Sequence, residues 1–190
     1  MKTFIQSLRF TIGFCAFLAV FYVLILWIYG QFASPNSGNA DVVTCNGKVV
    51  GAANVGQQFT KDIYFWGRPS CAGDGYDGTS SAGSNKGVTN PEYLDEVEAR
   101  IDQFLVKHPY LQRNEVPAEM VTASASGLDP HITPESAYVQ VQRVANARGL
   151  DATVVRSLVD LQTERPFLGL FGPEKVNVLK LNVALDEYRR

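Results

Sequence analysis

The segment FTIGFCAFLAVFYVLILWIY, residues 10–29, decides the architecture of this chain of 190 residues. It carries no charged side chain, and only Thr11 and Gly13 fall outside the hydrophobic set. A helix rises about 1.5 Å per residue, so a helix of this length extends about 30 Å, the thickness of a bilayer's hydrocarbon core. The sequence therefore predicts a transmembrane helix at residues 10–29.

A cleaved signal peptide and a buried core helix are the two alternatives to this anchor. The apolar region of a signal peptide is usually about 7 to 15 residues long and ends at small residues spaced A-x-A. Here the apolar run is longer, and it ends at Trp27 and Tyr29, which suit a membrane interface. Core helices rarely carry bulky apolar side chains on every face. We therefore favour an uncleaved single-pass anchor.

The charges on either side of the segment predict its orientation. Lys2 and Arg9 precede it, and the first ionisable side chain after it is Asp41. By the positive-inside rule, residues 1–9 are then a short cytoplasmic N-terminus. The anchor crosses the cell (inner) membrane, and everything after Gly30 lies outside, in the periplasm or extracellular space. All 19 acidic residues follow the anchor, whereas two of the 17 basic residues precede it. The outer part therefore has 15 basic and 19 acidic residues, a net charge of about −4. Such a part lacks the basic face that nucleic-acid binding needs.

Small residues within the anchor suggest a packing face. Gly13 and Ala16 lie three positions apart, on one side of the helix. Small side chains let two membrane helices approach closely, although small residues also occur by chance on helices that face lipid. The two residues are candidates for membrane-helix packing.

The chain after the anchor predicts one α+β domain. Residues 30–40 form a linker rich in turn formers, and residues 41–190 form the domain. Asn46-Gly47 favours a type I′ hairpin between residues 42–45 and 48–50, because both turn positions need positive φ. Residues 63–66 are a strand candidate, and residues 70–90 are a long irregular loop.

About four helices follow in this domain. Asn90 caps a helix that begins at Pro91 and runs to about His108. A second helix opens at Thr133-Pro134 and ends at Gly149, and Asp151 caps a third, whose apolar face is predicted to be Val154, Val155, Leu158 and Leu161. The last helix covers residues 176–185 and starts near Pro173-Glu174.

The cysteines leave one pairing open. Cys15 lies in the anchor, whereas Cys45 and Cys71 lie outside, where an oxidising compartment permits a disulfide. Such a bond would stabilise the folded domain by roughly 3 kcal/mol through loop closure, but the sequence does not show whether the two cysteines have the required geometry. Neither cysteine belongs to a C-x-x-C pair, and the only histidines are His108 and His131, so we expect no metal site.

The sequence contains no Walker A loop, G-x-S-x-G elbow, H-E-x-x-H motif or Rossmann glycine pattern, so we expect no enzyme activity. Ser124, Ser126, Asp129 and His131 supply the residue types of a hydrolase. Residues so close in sequence are more typical of a turn in which Ser and Asp cap the backbone and Gly127 supplies positive φ.

Three further side chains or segments have competing readings. We expect His108 to be cationic at a helix C-terminus, where it complements the helix dipole. Ser80–Gly87 could cradle a phosphate through its backbone N–H groups, but a glycine-rich surface loop is favoured because no strand leads into it. Arg68 could bind an anion, although we favour a role in anchoring the loop after it.

Five long segments carry a resemblance to a known family. In order, they are VGQQFTKDIYFWGRPSCAG (55–73), SSAGSNKGVTNP (80–91), VPAEMVTASASGLDPHITPESA (116–137), QVQRVANARGL (140–150) and VNVLKLNVAL (176–185). Behind one N-terminal span, this order resembles the C subunit (KdpC) of the bacterial Kdp potassium-transporting P-type ATPase. The chain departs from the family pattern at Ala82, where a glycine is common, and at Lys86, where an apolar residue is common.

The resemblance implies a non-catalytic accessory subunit in a membrane complex. Its partners would be a channel-like A subunit that conducts K⁺, a B subunit that hydrolyses ATP, and a small F peptide, so that ATP and K⁺ are handled by the partner subunits. The family is described as a catalytic chaperone that raises the ATP affinity of the B subunit. Its serine-glycine loop has been likened to the signature loop of ABC transporters.

The predicted orientation conflicts with direct ATP contact, because it places Ser80–Gly87 across the membrane from cellular ATP. An effect on ATP binding would then have to pass through other subunits. The alternative function is a membrane-anchored extracytoplasmic domain that binds a ligand or hydrolyses a substrate. The candidate subunit-interaction or structural residues are Gln57, Phe59, Tyr64, Arg68, Pro69, Ser84, Asn85, Asn90, Pro91, Ser124, Ser126, Gly127, Asp129, Asn177 and Asn182.

Overall fold

A computed structural model describes residues 1–188, so Arg189 and Arg190, the last two residues of the predicted domain, lie outside the described residues. The chain divides into two compact units, residues 1–41 and the residues from Val42 onward. The first unit is a helical segment, and the second is an α+β domain. The predicted fold class is therefore confirmed.

The first unit is one long helical segment, Lys2–Ala33. It consists of α1 (Lys2–Phe17), a π-helical turn (Leu18–Tyr22) and α2 (Val23–Ala33). By length and composition it is the one helix among the described residues that could cross a membrane. It extends beyond the predicted residues 10–29 at both ends, because the flanking residues also favour helix. A 3₁₀ turn, Pro35–Gly38, follows within the linker.

The domain begins with the predicted hairpin. Strand β1 (Val42–Cys45) pairs antiparallel with β2 (Lys48–Ala52). Asn46 and Gly47 have φ values of 50° and 76°, which are the positive values of a type I′ turn. A second sheet has the order β3-β5-β4, with β3 at His131–Ile132, β4 at Thr163–Glu164 and β5 at Lys175–Asn177.

Five α-helices lie in the domain, as far as the described residues show: α3 (Pro91–Lys107), α4 (Pro134–Tyr138), α5 (Val141–Arg148), α6 (Ala152–Gln162) and α7 (Val178–Glu187). The predicted caps are confirmed, since Asn90 accepts from the Tyr93 N–H, Asp151 accepts from the Thr153 N–H, and Gly149 is left-handed. Short 3₁₀ turns, Arg113–Glu115 and Ala118–Met120, connect α3 to β3.

Two of the predicted helix boundaries were wrong. The predicted helix from Pro134 to Arg148 is interrupted after Tyr138, where the Gln140 side chain turns toward the chain segment containing Trp66. The last helix starts at Val178 rather than near Pro173, because Lys175–Asn177 first pairs as the central strand β5 and Asn177 then caps the helix.

The core lies between the second sheet and the helices α5, α6 and α7. Strands, helices and the loop before residue 67 all contribute apolar side chains to it. They include Phe65, Ile132, Val144, Val155, Val159, Val176, Leu181 and Leu185. The predicted face of α6 was wrong at its C-terminal end, where Val159 is fully buried and Leu161 is 77% exposed. On α3, Leu94 is likewise exposed, and Phe104 is the buried residue of that helix.

The predicted strand at residues 63–66 was also wrong, because side chains take the place of a neighbouring strand. The Asn182 amide accepts from the Phe65 N–H at 2.8 Å and donates to the Phe65 carbonyl at 3.0 Å. The Gln140 amide does the same for Trp66, at 2.8 Å and 3.2 Å. The backbone groups of this segment are therefore satisfied without a ladder.

Candidate functional site

Two loops, residues 67–90 and 121–130, join into one surface, which we call the double-loop surface. Backbone hydrogen bonds connect them, from Ser124 N to Pro69 O at 3.2 Å and from Ala82 N to Ser126 O at 3.1 Å. The Ser70 hydroxyl adds a bond to the Gly127 carbonyl at 2.6 Å. The long irregular loop is thus held by a second, equally irregular segment rather than by regular secondary structure.

Glycines permit the close approach of the two loops. Gly127 has φ of 69°, and a Cβ there would lie 2.6 Å from the Ala82 carbonyl oxygen and 2.7 Å from the Ala72 nitrogen. A Cβ at Gly83 would lie 2.8 Å from the Ala125 carbonyl oxygen. All three distances are shorter than those that real Cβ atoms show, so a larger residue at Gly127 would separate the loops.

The cluster of Ser124, Ser126, Asp129 and His131 has turn geometry. The Ser126 hydroxyl accepts from the Leu128 N–H at 3.1 Å, and Asp129 Oδ1 accepts from the His131 N–H at 2.9 Å. Ser124 is buried. Within residues 1–188, no hydrogen bond joins a serine hydroxyl of this cluster to the imidazole of His131. The arrangement provides turn stabilisation rather than an activated nucleophile.

Arg68 connects the two loops at their base. Its guanidinium lies 3.4 Å from Asp129 Oδ2 and donates to the Ala123 carbonyl at 3.4 Å. The hydrogen bond with His131, aided by Arg68, lowers the pKa of Asp129 and keeps it ionised. The hydroxyl of the half-buried Tyr76 donates to the Arg68 carbonyl at 2.6 Å, and desolvation raises the pKa of Tyr76 to about 12. These contacts agree with a role for Arg68 in anchoring the loop.

A cleft of about 420 Å³ opens beside this arginine. Phe59, Trp66 and Tyr76 contribute aromatic surface to it, together with polar groups from the start of the first loop. Arg68 is one of its lining residues, and within residues 1–188 the buried Arg68 Nε has no hydrogen-bond partner. The cleft is the part of the surface best suited to a small ligand or a partner's side chain.

A buried arginine, Arg143, holds the segment that leads into the double-loop surface. Arg143 donates from Nε to His108 Nε2 at 3.0 Å and from a terminal nitrogen to the Gln140 amide oxygen at 2.8 Å. The other terminal nitrogen donates to the carbonyls of Asp62, at 2.6 Å, and Tyr64, at 3.0 Å. Its guanidinium also lies 4.0 Å from the Trp66 ring centroid. One side chain thus fixes residues 62–66, which lead into the double-loop surface.

His108 lies at the C-terminal end of α3, as predicted, but its imidazole is neutral rather than cationic. The ring is fully buried and stacks on Phe104, with ring centroids 3.9 Å apart. Nδ1 lies 2.8 Å from the Phe104 carbonyl and therefore donates, which leaves Nε2 to accept from Arg143. Burial lowers the pKa of His108 to about 4 and that of Arg143 to about 10. Burial outweighs the helix dipole here.

The remaining predicted residues are separated into two groups. The Pro69 carbonyl accepts from the Ser124 N–H, so Pro69 lies with Arg68 against the 121–130 loop. Towards the end of the first loop, before and at the start of α3, lie Ser84, Asn85, Asn90 and Pro91. Asn85 has φ of 50°, and Asn90 serves as the N-cap before Pro91. These residues therefore shape the loop and its exit.

The second group holds the hairpin and residues 55–66 to α7. Asn177 donates to the Ala53 carbonyl at 2.7 Å, and Gln57 donates to the Val50 carbonyl at 3.0 Å. Tyr64 donates to Asp186 at 3.1 Å, and its ring lies 5.6 Å from that of Phe59. Asn177, Gln57, Tyr64 and Asn182 thus have structural contacts away from the double-loop surface, whereas Phe59 also lines the cleft beside Arg68.

Sequence reasoning missed Arg143 entirely. The signal was an arginine between Val141 and Val144, on the apolar side of a predicted helix, where a charge is rare unless paired. The cysteines that could have paired, Cys45 and Cys71, are free thiols, as is Cys15. Among residues 1–188, no group of three or more His, Cys, Asp or Glu side chains could hold a metal ion.

Comparison with known proteins decides the family. The family model described as K⁺-transporting ATPase, c chain (KdpC), matches residues 4–187. The chain belongs to the KdpC family. It is 71% identical over 189 residues to the potassium-transporting ATPase KdpC subunit of Bacteroides fragilis (strain YCH46), covering 100% of this chain and 99% of that one.

Other relatives carry the same name. The KdpC subunit of Phocaeicola vulgatus is 72% identical over 187 residues, covering 98% of this chain and 99% of its own. That of Caldanaerobacter subterraneus subsp. tengcongensis is 44% identical over 182 residues, covering 96% and 93%. The family resemblance carried by the five sequence segments is thereby confirmed. This KdpC-family chain is a subunit of a K⁺-transporting ATPase, and its apolar N-terminal helix agrees with a single-pass membrane protein.

Proposed function

We propose that this KdpC-family chain is a non-catalytic accessory subunit that stabilises an ATP-driven K⁺ import complex. Its partners in this proposal are the channel-like A subunit, the ATP-hydrolysing B subunit and the small F peptide. The observation that carries the proposal is the double-loop surface. Its serines and Asp129 bond to local backbone, and its loops are fixed to each other by the contacts at Ser124, Ala82 and Gly127. A pre-organised polar surface of this kind suits binding of a partner.

The proposal places the domain outside the cytoplasm. Lys2 and Arg9 precede the apolar helix, and no charged residue occurs from Phe10 to Ala40. Labelling of Asn85→Cys with a membrane-impermeant maleimide, in right-side-out and inside-out vesicles, tests this orientation. We expect labelling in right-side-out vesicles. Labelling only in inside-out vesicles would place the domain in the cytoplasm and permit direct contact with ATP.

The family's effect on ATP affinity is then a coupling through other subunits. A coupling of this kind changes ligand affinity without contact between the subunit and the ligand. Titration of ATPase activity with ATP, in complexes with and without this subunit, measures it. We expect a higher KM for ATP without the subunit and no crosslink from a photoreactive ATP analogue to this chain.

Assembly is tested with two exposed alanines. Ala125→Arg adds a bulky cation to the double-loop surface, and Ala147→Arg makes the same change on the exposed side of α5. We expect Ala125→Arg to reduce several-fold the partner subunits that co-purify in mild detergent, with the melting temperature unchanged. Ala147→Arg should leave co-purification intact. Equal co-purification of both variants would show that the interface lies elsewhere.

The alternative function, an anchored external domain that binds a ligand or hydrolyses a substrate, is favoured by one observation. Arg68 lines the cleft, and its buried Nε has no hydrogen-bond partner among the described residues. Extraction in mild detergent separates the two functions. A solitary 20.9 kDa chain that retains a binding activity would support the alternative, and co-purification with large membrane subunits would support the accessory role.

A further inference from the structure

The loop between β4 and β5 ends in an exposed apolar protrusion, residues 166–173, which we call the apolar tip. Its sequence is PFLGLFGP. The exposed fractions of its four large side chains are 71% for Phe167, 73% for Leu168, 81% for Leu170 and 64% for Phe171. Single exposed apolar residues are common on protein surfaces, but four within five positions form a patch that marks an interaction site.

Four backbone N–H groups of the apolar tip donate to carbonyls within the tip itself. Phe167 and Phe171 exchange two hydrogen bonds, each 3.0 Å long. The Gly169 N–H donates to the Pro166 carbonyl at 2.9 Å, and the Leu170 N–H donates to the Phe167 carbonyl at 3.1 Å. Backbone groups that are already paired can leave water at low cost, which is a requirement for entry into an apolar medium.

The turn holds its apolar side chains outward. Leu168 has φ of 54°, a left-handed conformation that branched apolar residues rarely adopt, and Gly169 continues it with φ of 71°. Phe167 and Phe171 are paired across the turn, and their ring centroids lie 6.4 Å apart. The four side chains therefore remain displayed instead of collapsing onto the core.

The charges around the apolar tip favour a lipid surface as its occupant. No ionisable residue occurs from Pro166 to Pro173; Arg165 precedes the tip, and Glu174 and Lys175 follow it, with Lys175 3.4 Å from Glu164. Residues 164–180 carry three basic and two acidic side chains, in a domain that is acidic overall. An apolar end above a base with a small excess of basic charge suits the acyl chains and phosphates of a bilayer interface.

The linker between the apolar helix and the domain is short. Ser34 to Asp41 is eight residues, which span no more than about 28 Å even when fully extended. An apolar tip on a domain tethered this closely meets lipid at a high effective concentration. We propose that the apolar tip inserts its four side chains into the bilayer interface and gives the subunit a second membrane contact. The contact needs only a membrane-bound chain, so it stands apart from the proposed role in assembly.

The test uses the full chain in nanodiscs of phosphatidylcholine and phosphatidylglycerol. A single cysteine is placed at Leu170 or, as a matched control, at Val106, which is 77% exposed on α3. The native cysteines are replaced by alanine, folding is checked by circular dichroism, and each new cysteine is labelled with the fluorophore NBD. Quenching by nitroxide-labelled lipid reports contact with the bilayer, and quenching by iodide reports contact with water.

We expect lipid quenching at Leu170→Cys to exceed that at Val106→Cys several-fold, with the order reversed for iodide. Equal iodide quenching at the two positions would overturn the proposal. The same measurement in the assembled complex identifies a protein occupant instead. If Leu170→Cys there loses lipid quenching and stays shielded from iodide, the apolar tip is seated in a partner subunit, and the lipid proposal is wrong for the complex.

Discussion

Arg143 Nε donates a hydrogen bond to His108 Nε2 over 3.0 Å, so two ordinarily basic side chains are joined inside the domain. This bond exists only while the imidazole is neutral, because a protonated Nε2 has no lone pair to accept with. Asp62, whose charge lies near both groups, is the carboxylate that partly offsets the cation of Arg143. Residues 62–66 therefore depend on the protonation state of one histidine.

Acidification should destabilise the domain through His108. Its pKa is about 4 in the folded state and near 6.5 in the unfolded chain, so the unfolded chain binds the proton first. The stabilisation is complete above about pH 6.5 and is lost as the pH falls toward 4, a loss of up to about 3 kcal/mol. Urea unfolding of the detergent-solubilised chain at several pH values measures this slope.

His108→Gln is the control for that titration, since its amide does not titrate in this range. The pH slope between 6.5 and 4 should become shallower in the variant, although the variant is less stable at pH 7. An unchanged slope would show that carboxylates, rather than His108, govern the acid sensitivity.

Removal of the Asn182 amide should be costly because it pairs both backbone groups of Phe65. Asn182→Ala leaves a buried N–H and a buried carbonyl without partners, and each costs about 1–3 kcal/mol. We expect a loss of about 2–5 kcal/mol in the free energy of unfolding. Asn146→Ala removes an exposed amide on α5 and should cost less than about 0.5 kcal/mol. Similar losses in the two variants would argue against the strand-replacing role of Asn182.

Gly127→Ala should separate the two loops. The added Cβ would meet the Ala82 carbonyl at 2.6 Å, in a backbone conformation that is strained for alanine. We expect a loss of about 2 kcal/mol or more and faster amide exchange at Ala82, whose N–H bonds to Ser126. Gly78→Ala is the control, because a Cβ there meets nothing within 4 Å. Unchanged exchange at Ala82 in the Gly127 variant would mean that the loops are not held together at this point.

The features predicted correctly from sequence are those set by local chemistry. Asn46-Gly47 specifies its turn, and Asn90 and Asp151 specify helix starts, through groups within a few residues. The errors depend on distant partners. Residues 63–66 have the composition of a strand, but amide side chains from 74 and 117 positions away complete their hydrogen bonds. The buried state of His108 likewise depends on Arg143, 35 positions later.

The same division applies to the site. Short-range patterns identified the turn around Ser126 and Asp129, because its bonds join residues two positions apart. The pairing of that turn with the 67–90 loop spans 44 to 61 positions and leaves no periodic signal. Family membership supplied the function, since the residues alone left an anchored ligand-binding domain open.

The C-terminal end of α6 offers a direct test of structure against periodicity. The sequence places Leu161 on the apolar face, whereas the structure buries Val159 completely and leaves Leu161 77% exposed. Val159→Ala should therefore cost about 2 kcal/mol through loss of packed methyl groups, and Leu161→Ala should change stability by less than about 0.5 kcal/mol. Urea unfolding at pH 7 compares the two variants. A larger loss for Leu161→Ala would mean that α6 is rotated relative to the core and that the periodic reading was right.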